Sequence, residues 1–330
     1  MRIRISSIWW LVLSSCTIQV YEPEKMLPVE EYSEWTTHAT YVSQTANSVT
    51  LDVELILSDK FDRNNEFTFL GSSDFNISGS DGQLTISDFK TATVANAGPG
   101  SSVILMDLSG DYSSTDPYNN RAKMFHKYFE DHNGSSQFLT GGFAKSGLLP
   151  TPVYYLSEQF QTAEDQILLP FFNMSVQTGG QNNLYDALNS GISKLTNTTG
   201  AVRHLIVLTH SNDGGSSSAA SSIIAAAKTA SVNIDIVALG NDLNPAPLAA
   251  IACQSGGLFA FCQTGEEMIA VTGRLYRMLY GTTGTCQFRL IYKPTSGTVA
   301  SGDQITGSIN VSESVFGKSL NPTYFSVSVP

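Results

Sequence analysis

Basic residues are scarce in this chain and nowhere clustered: 18 Lys and Arg stand against 29 Asp and Glu, a net charge of −11 over 330 residues. A nucleic-acid partner needs a basic face and is excluded on that ground. Long apolar runs are also missing. The stretch from Ile5 to Leu13 is broken by Ser6 and Ser7 and falls short of the roughly 20 residues that a membrane-spanning helix requires. Catalytic signatures are absent as well. No Gly-x-Ser-x-Gly elbow surrounds a nucleophile, and no Lys follows Gly179-Gly180 to make a phosphate loop, so the chain reads as a non-enzyme. Cysteine is sparse, at 16, 253, 262 and 286, in none of the spacings of a zinc site. What is plentiful is apolar: 42% hydrophobic and 10% aromatic residues make a globular composition with material for about two domains.

The first sixteen residues differ from the rest. Arg2 and Arg4 precede the short apolar stretch, and Leu13-Ser14-Ser15-Cys16 closes it, which reads as a secretory signal. Leu-Ser-Ser-Cys resembles a bacterial lipobox, in which Cys16 becomes the lipidated N-terminus; a plain cleaved signal with an unremarkable Cys is the alternative. Residues 17–37, with Pro23, Pro28 and several Glu but little periodicity, suit a tether that holds a folded body off a membrane. Thr17 is not the Asp associated with inner-membrane retention, so the expected place is the outer membrane or cell surface of a bacterium. Beyond Cys16 an odd number of cysteines remains. Cys253 and Cys262 bracket Gln254-Ser255-Gly256-Gly257, a turn that lets a helix end and the next strand face each other; a disulfide is expected there, with two buried thiols as the alternative.

Residues 38–95 alternate as β-strands do, most strictly from Ser48 to Leu57, where Val49, Leu51, Val53, Leu55 and Leu57 share one face. Phe67 to Leu70, Phe75 to Ser78 and Leu84 to Ile86 read as further short strands, and Ala95 to Gly100 marks a boundary. From 101 to 281 strands alternate with helices, which predicts an α/β unit with a doubly wound, mostly parallel sheet. Its clearest helix has Leu184, Ala187, Leu188, Gly191, Ile192 and Leu195 on one face. A final amphipathic helix is expected over Glu266 to Leu279. Residues 285–330 return to β and are too few for a core of their own, so they are expected to pair with 38–95 in a β-sandwich into which the α/β unit is inserted.

The apolar strand Val103 to Met106 ends in Asp107-Leu108-Ser109-Gly110-Asp111, which aims hard oxygen ligands at one spot. Two other segments reach the same sheet edge: Gly179-Gly180-Gln181-Asn182-Asn183-Leu184-Tyr185-Asp186-Ala187-Leu188 and Leu208-Thr209-His210-Ser211-Asn212-Asp213. In that order, followed by Gly256-Gly257-Leu258-Phe259, these motifs resemble a von Willebrand factor type A domain over about residues 101–281. The resemblance implies a metal-ion-dependent adhesion site with the pattern Asp-x-Ser-x-Ser, a Thr and a second Asp. This chain keeps Asp107 and Ser109 and departs at three positions: Asp111 replaces Ser, Asn182 falls where the Thr belongs with Thr178 as an off-register substitute, and His210 replaces the loop Asp. Imidazole is a poor ligand for magnesium or calcium. Two readings follow: one divalent cation (Mg, Mn or Zn) held by Asp107, Ser109, Asp111, Asn182 and His210, or a degenerate site without metal in which His210 bonds Asp107 or Asp111. Asp213 is expected to cap the following turn.

Val53-x-Leu55-x-Leu57-Ser58-Asp59-Lys60 with Asp74-Phe75-x-Ile77 is similar to the β domain that precedes the type A domain in some bacterial secreted proteins. The function implied is a lipid-anchored envelope protein that binds a protein or surface polymer through its strand-end loops, with Tyr112, Gln181, Asn183, Ser211 and Asp213 facing the partner. The alternative is a structural component of an envelope assembly whose metal site does nothing.

Overall fold

The computed structural model describes residues 32–59, 70–95, 98–110, 116–130, 134–145, 152–162, 179–272, 275–312 and 322–330. Cys16, Asp111, Tyr112, Thr178 and the expected strand residues 67–69 lie outside them. The chain opens with β1 (Tyr32–Thr45), β2 (Ser48–Asp59), β3 (Phe75–Gly79) and β4 (Gly82–Ala95). The α/β part follows: β5 (Ser101–Asp107), α1 (Asn120–Glu130), β6 (Gln137–Phe143), β7 (Tyr154–Tyr155), α2 (Leu184–Thr196), β8 (Arg203–Thr209), α3 (Ala220–Ala230) and β9 (Asn233–Leu239). It ends with α4 (Pro245–Ser255), β10 (Phe259–Cys262), α5 (Gly265–Thr272) and α6 (Leu275–Tyr280), before β11 (Thr282–Pro294), β12 (Gln304–Val311) and β13 (Thr323–Ser328). Among the described residues no helix is long and apolar enough to cross a membrane.

Strands β10, β9, β8, β5 and β6 are parallel neighbours, with β5 in the interior as its unbroken apolar run requires. Helices cover both faces. Ile104, Met106, Ile206 and Leu208 point to the side of α1, α5 and α6, whereas Val103, Leu105, Leu205 and Val207 point to that of α2, α3 and α4. Every apolar position of the α2 stripe is buried. Burying each of its Leu and Ile side chains contributes about 1.5–3 kcal/mol, an upper figure because the unfolded chain already hides some of that surface. Gly191 lets α2 lie close to β8, since a Cβ there would stand 2.5 Å from Leu205 Cδ1.

The terminal β segments pair with each other in two antiparallel groups of strands, yet one group is not a separate sheet. Strands β4, β11, β2 and β1 continue the α/β sheet, because β1 pairs antiparallel with β10 at Thr36 and Phe259, giving a single ten-stranded sheet. The physical reason is edge protection: β10 would otherwise present unpaired backbone groups. The second sheet, β13-β12-β3, packs over it around Val49, Leu51, Val53, Leu55, Phe288 and Phe325. Two boundaries move. The expected tether to residue 37 loses Tyr32 to Thr37 to β1, and the expected helix over 266–279 is described as the separate α5 and α6.

The expected disulfide is not made. Among the described residues Cys253, Cys262 and Cys286 form no disulfide, and all three are buried. Cys253 packs in the sandwich core, whereas Cys262 packs on the α1, α5 and α6 side of the sheet. The turn does join a helix end to a strand, but alternation along β10 sends the Cys262 side chain through the sheet plane and away from α4. Burial pushes the Cys253 thiol up to about 12.

Candidate functional site

Asp107 is the last residue of β5, and its carboxylate is wholly buried. From the described residues six hydrogen bonds converge on it. Oδ1 accepts the Ser109 N–H at 2.8 Å and the Ser109 hydroxyl at 2.6 Å. Oδ2 accepts the Asn182 amide at 2.8 Å, His210 Nδ1 at 3.0 Å and the His210 N–H at 3.3 Å, with Thr209 Oγ1 at 2.9 Å. A carboxylate only accepts, so His210 Nδ1 carries the proton. Four of the expected residues, Asp107, Ser109, Asn182 and His210, are thus brought together, and Asp111 lies outside the described residues.

Asn182 is the centre of the arrangement. Its Oδ1 accepts the N–H of Leu184 at 2.8 Å, which fixes the amide orientation and turns Nδ2 inward. Around Nδ2 stand four oxygens: Asp107 Oδ2 at 2.8 Å, Thr209 Oγ1 and Ser211 Oγ at 3.0 Å, and the Ser211 carbonyl at 3.1 Å. These are hydrogen-bond distances. Magnesium draws oxygens to about 2.0–2.1 Å and calcium to about 2.3–2.6 Å. The amide nitrogen occupies the point on which the oxygens converge and presents hydrogens to them, not a lone pair. The donor set does not fit a bound cation, and of the two sequence readings the geometry matches the one in which His210 bonds Asp107. Among the described residues no group of three His, Cys, Asp or Glu is placed to hold a metal.

The same loops hold the start of α2. Its first three N–H groups are bonded by side chains: Leu184 to Asn182 Oδ1, Tyr185 to Asp213 Oδ1 at 3.1 Å, and Asp186 to Ser216 Oγ at 3.0 Å. Helix N-termini leave such donors unsatisfied unless a cap is supplied. Asp213 also accepts from the Ser216 hydroxyl and so performs the capping expected of it. Asp186 accepts the N–H groups of Ser217 at 2.9 Å and Ser218 at 3.0 Å. Desolvation raises its pKa, but these bonds outweigh it and hold the carboxyl below the ordinary value.

The residues expected to face a partner divide unevenly. Gln181 is exposed and bridges by backbone bonds to Lys145. Asn183 is only 2% exposed and donates Nδ2 to the Pro152 carbonyl at 3.0 Å, leaving Oδ1 without a partner among the described residues. Ser211 turns its hydroxyl inward to Asn182, and Asp213 is spent on α2. Loop side chains at a helix start satisfy groups of the chain itself, and these three make such internal bonds. Thr209, not counted among the candidate ligands, is a full member of the cluster. Its place at the end of an apolar strand was the available signal. Beside the loops runs a groove of about 500 Å³ whose lining includes Lys145, Asn183, Asp186, Asn189, Ser193 and Ser217.

A parallel sheet covered on both faces by helices, with three loops joined at the carboxyl ends of its strands, defines an α/β binding domain of the open-sheet class. The family model of the von Willebrand factor type A domain matches residues 103–271, and the chain belongs to that family. No curated protein matches the chain. Solved structures with a similar fold include a von Willebrand factor type A protein from Catenulispora acidiphila, at 10% identity and TM-score 0.47, covering 91% of this chain and 74% of that one. The ArnB paralog VWA2 from Sulfolobus acidocaldarius has 12% identity and TM-score 0.43, covering 91% and 75%. Proximal thread matrix protein 1 from the mussel byssus, in a structure with a zinc-occupied MIDAS motif, has 16% identity and TM-score 0.43, covering 61% and 50%.

Proposed function

We propose that this chain is a lipid-anchored protein of the bacterial cell envelope, tethered through Cys16, whose type A domain binds a protein or surface-polymer partner at its strand-end loops without a metal ion. The closed hydrogen-bond cluster around Asp107 carries this reading. It fixes three loops and the start of α2 in one geometry, with the Asn182 amide performing the internal neutralisation that a cation would otherwise supply. The contact surface is the polar groove beside it, which the exposed Asn189 and Ser193 line. A groove of amides and hydroxyls with one Lys and one Asp suits a hydrogen-bonding partner and not an apolar one.

The test is binding of the purified chain to envelope preparations in chelator and in millimolar magnesium. Capture is expected to be equal in both. Asn189→Arg and Ser193→Arg, each at an exposed position, are expected to abolish it while leaving thermal stability unchanged. Protease or periodate treatment of the envelope then separates a protein partner from a polymer. Binding that needs a divalent cation, or that survives both groove substitutions, would overturn the reading. For the anchor, detergent phase partitioning of the wild type and Cys16→Ser is decisive: the wild type is expected in the detergent phase and the variant in the aqueous phase.

A further inference from the structure

A second polar constellation lies at the opposite edge of the sheet, some 16 Å along β8 from Thr209. A cavity of about 260 Å³ opens there between α6, the starts of β8 and β9, and the sandwich strands β1, β2, β4 and β11. Ile56, Leu258, Met278 and Leu279 supply its apolar lining. His204 and Asp235 also line it, 6% and 0% exposed, joined by His204 Nδ1 to Asp235 Oδ2 at 2.8 Å. The other oxygen of Asp235 accepts the Leu258 N–H at 2.8 Å. His204 is further held by the ring of Tyr280, edge-on at 5.4 Å. Because Asp235 only accepts, Nδ1 carries the proton, and in the neutral ring Nε2 is an acceptor with no partner among the described residues.

Two more acceptors complete the lining. Thr285 is 5% exposed, and its hydroxyl oxygen has no hydrogen-bond partner among the described residues. A buried hydroxyl left in that state calls for a ligand or an ordered water. Glu54 brings a carboxylate from β2, with Gln287 Nε2 on its Oε1 at 3.0 Å. Among the described residues no Lys or Arg lines the cavity, and His38 stands across from Glu54. Acidic lining with low-dielectric walls favours positive charge and opposes an anion. Apolar side chains, several acceptors and, besides His38 and His204, no basic residue among the described lining make the complement of a compact molecule with a cationic, donor-rich head and a hydrocarbon body.

We propose that this cavity is a binding site for a small organic cation of the alkylamine class, its ammonium held by Glu54, Thr285 and His204 and its hydrocarbon body against Met278 and Leu279. Since its walls come from both the sandwich and the α/β part, the ligand ties the two together and raises the stability of the whole chain.

The experiment titrates the full chain at constant ionic strength with three probes of one shape, cyclohexylamine, cyclohexanol and cyclohexanecarboxylate, by calorimetry and thermal melting. The amine is expected to bind saturably at one site and raise the melting temperature, the alcohol at least tenfold more weakly, and the carboxylate not at all. Glu54→Gln and Thr285→Val are each expected to weaken the amine by about tenfold. Asn189→Arg, at the other edge of the sheet, is expected to leave it unchanged. Failure of the amine to bind, equal binding of the alcohol, preference for the carboxylate, or unchanged affinity in both cavity variants would each overturn the proposal. The comparison of probes on the unaltered chain decides even where a variant folds poorly.

Discussion

Replacing Asn182 by Asp changes one NH₂ group into an oxygen and almost nothing in size. The new oxygen would stand 2.8 Å from Asp107 Oδ2, where the amide now donates. Two full charges at that separation repel by about 6 kcal/mol at an effective dielectric constant near 20. Protonating one carboxyl at pH 7 from an ordinary pKa near 3.9 costs about 4 kcal/mol, the cheaper route. Asn182→Asp is therefore expected to lose about 4 kcal/mol at pH 7 in chelator, a large part of the 5–15 kcal/mol typical of a folded protein. The sign of the pH dependence follows. The folded pKa of the new pair is raised, so the loss is absent below about pH 4 and grows by roughly 1.4 kcal/mol per pH unit up to the raised pKa. Millimolar magnesium is expected to restore part of the stability of the variant, because the exchange places a second carboxylate among the converging oxygens, and to leave the wild type unchanged. Urea unfolding at pH 5, 6 and 7, with chelator and with magnesium, measures all of this. A loss under about 1 kcal/mol at pH 7, or a wild type stabilised by magnesium, would refute the view that the Asn182 amide stands in for a cation.

Three further outcomes follow from the geometry. Asp186→Asn is expected to cost about 0.5–1 kcal/mol at neutral pH, discounted for the partial exposure of the group. Its folded pKa is lowered by Ser217 and Ser218, so the contribution is present above the unfolded pKa and fades as pH falls through the folded one; melting curves of both proteins should converge below about pH 4. Gly257→Ala is expected to destabilise by more than 3 kcal/mol in chemical denaturation, since a Cβ there would meet the Ile234 carbonyl oxygen at 2.1 Å with only backbone to yield. Cys253, Cys262 and Cys286 are expected to react with a thiol reagent only on unfolding, and reductant should leave the melting temperature unchanged; prompt labelling or a reductant-sensitive melt would contradict their buried, unbridged state.

Much of the fold was legible because local periodicity and tertiary burial agree. The strict alternation from Ser48 to Leu57 could serve only a sheet with one buried face, and the stripe from Leu184 to Leu195 only a helix lying on a core. The motif order at the strand ends pointed to the right sheet edge. The terminal β segments were rightly paired across the intervening α/β unit, since neither could bury a face alone. The merger of sandwich and α/β sheets was not legible. It depends on one antiparallel contact between β1 and β10, and edge pairing leaves no mark on hydrophobic pattern.

The expected disulfide failed, and several loop side chains turned inward, for a related reason. Spacing of nine residues placed Cys253 and Cys262 near each other in the chain, but the pleat decided on which side of the sheet each thiol lies. Asn183, Ser211 and Asp213 were polar loop residues by sequence, and the exposed N–H groups of α2 and the convergence on Asp107 claimed them.

The sequence by itself determined the family, the sheet edge and the residues Asp107, Ser109, Asn182 and His210 that meet there, because these rest on local pattern and chain order. Only the tertiary structure decided what they do together. An amide can present either its oxygen or its nitrogen to a cluster. That choice was made by the Leu184 N–H at the start of α2, which takes the oxygen of Asn182 and leaves the nitrogen facing Asp107 in the place of a cation.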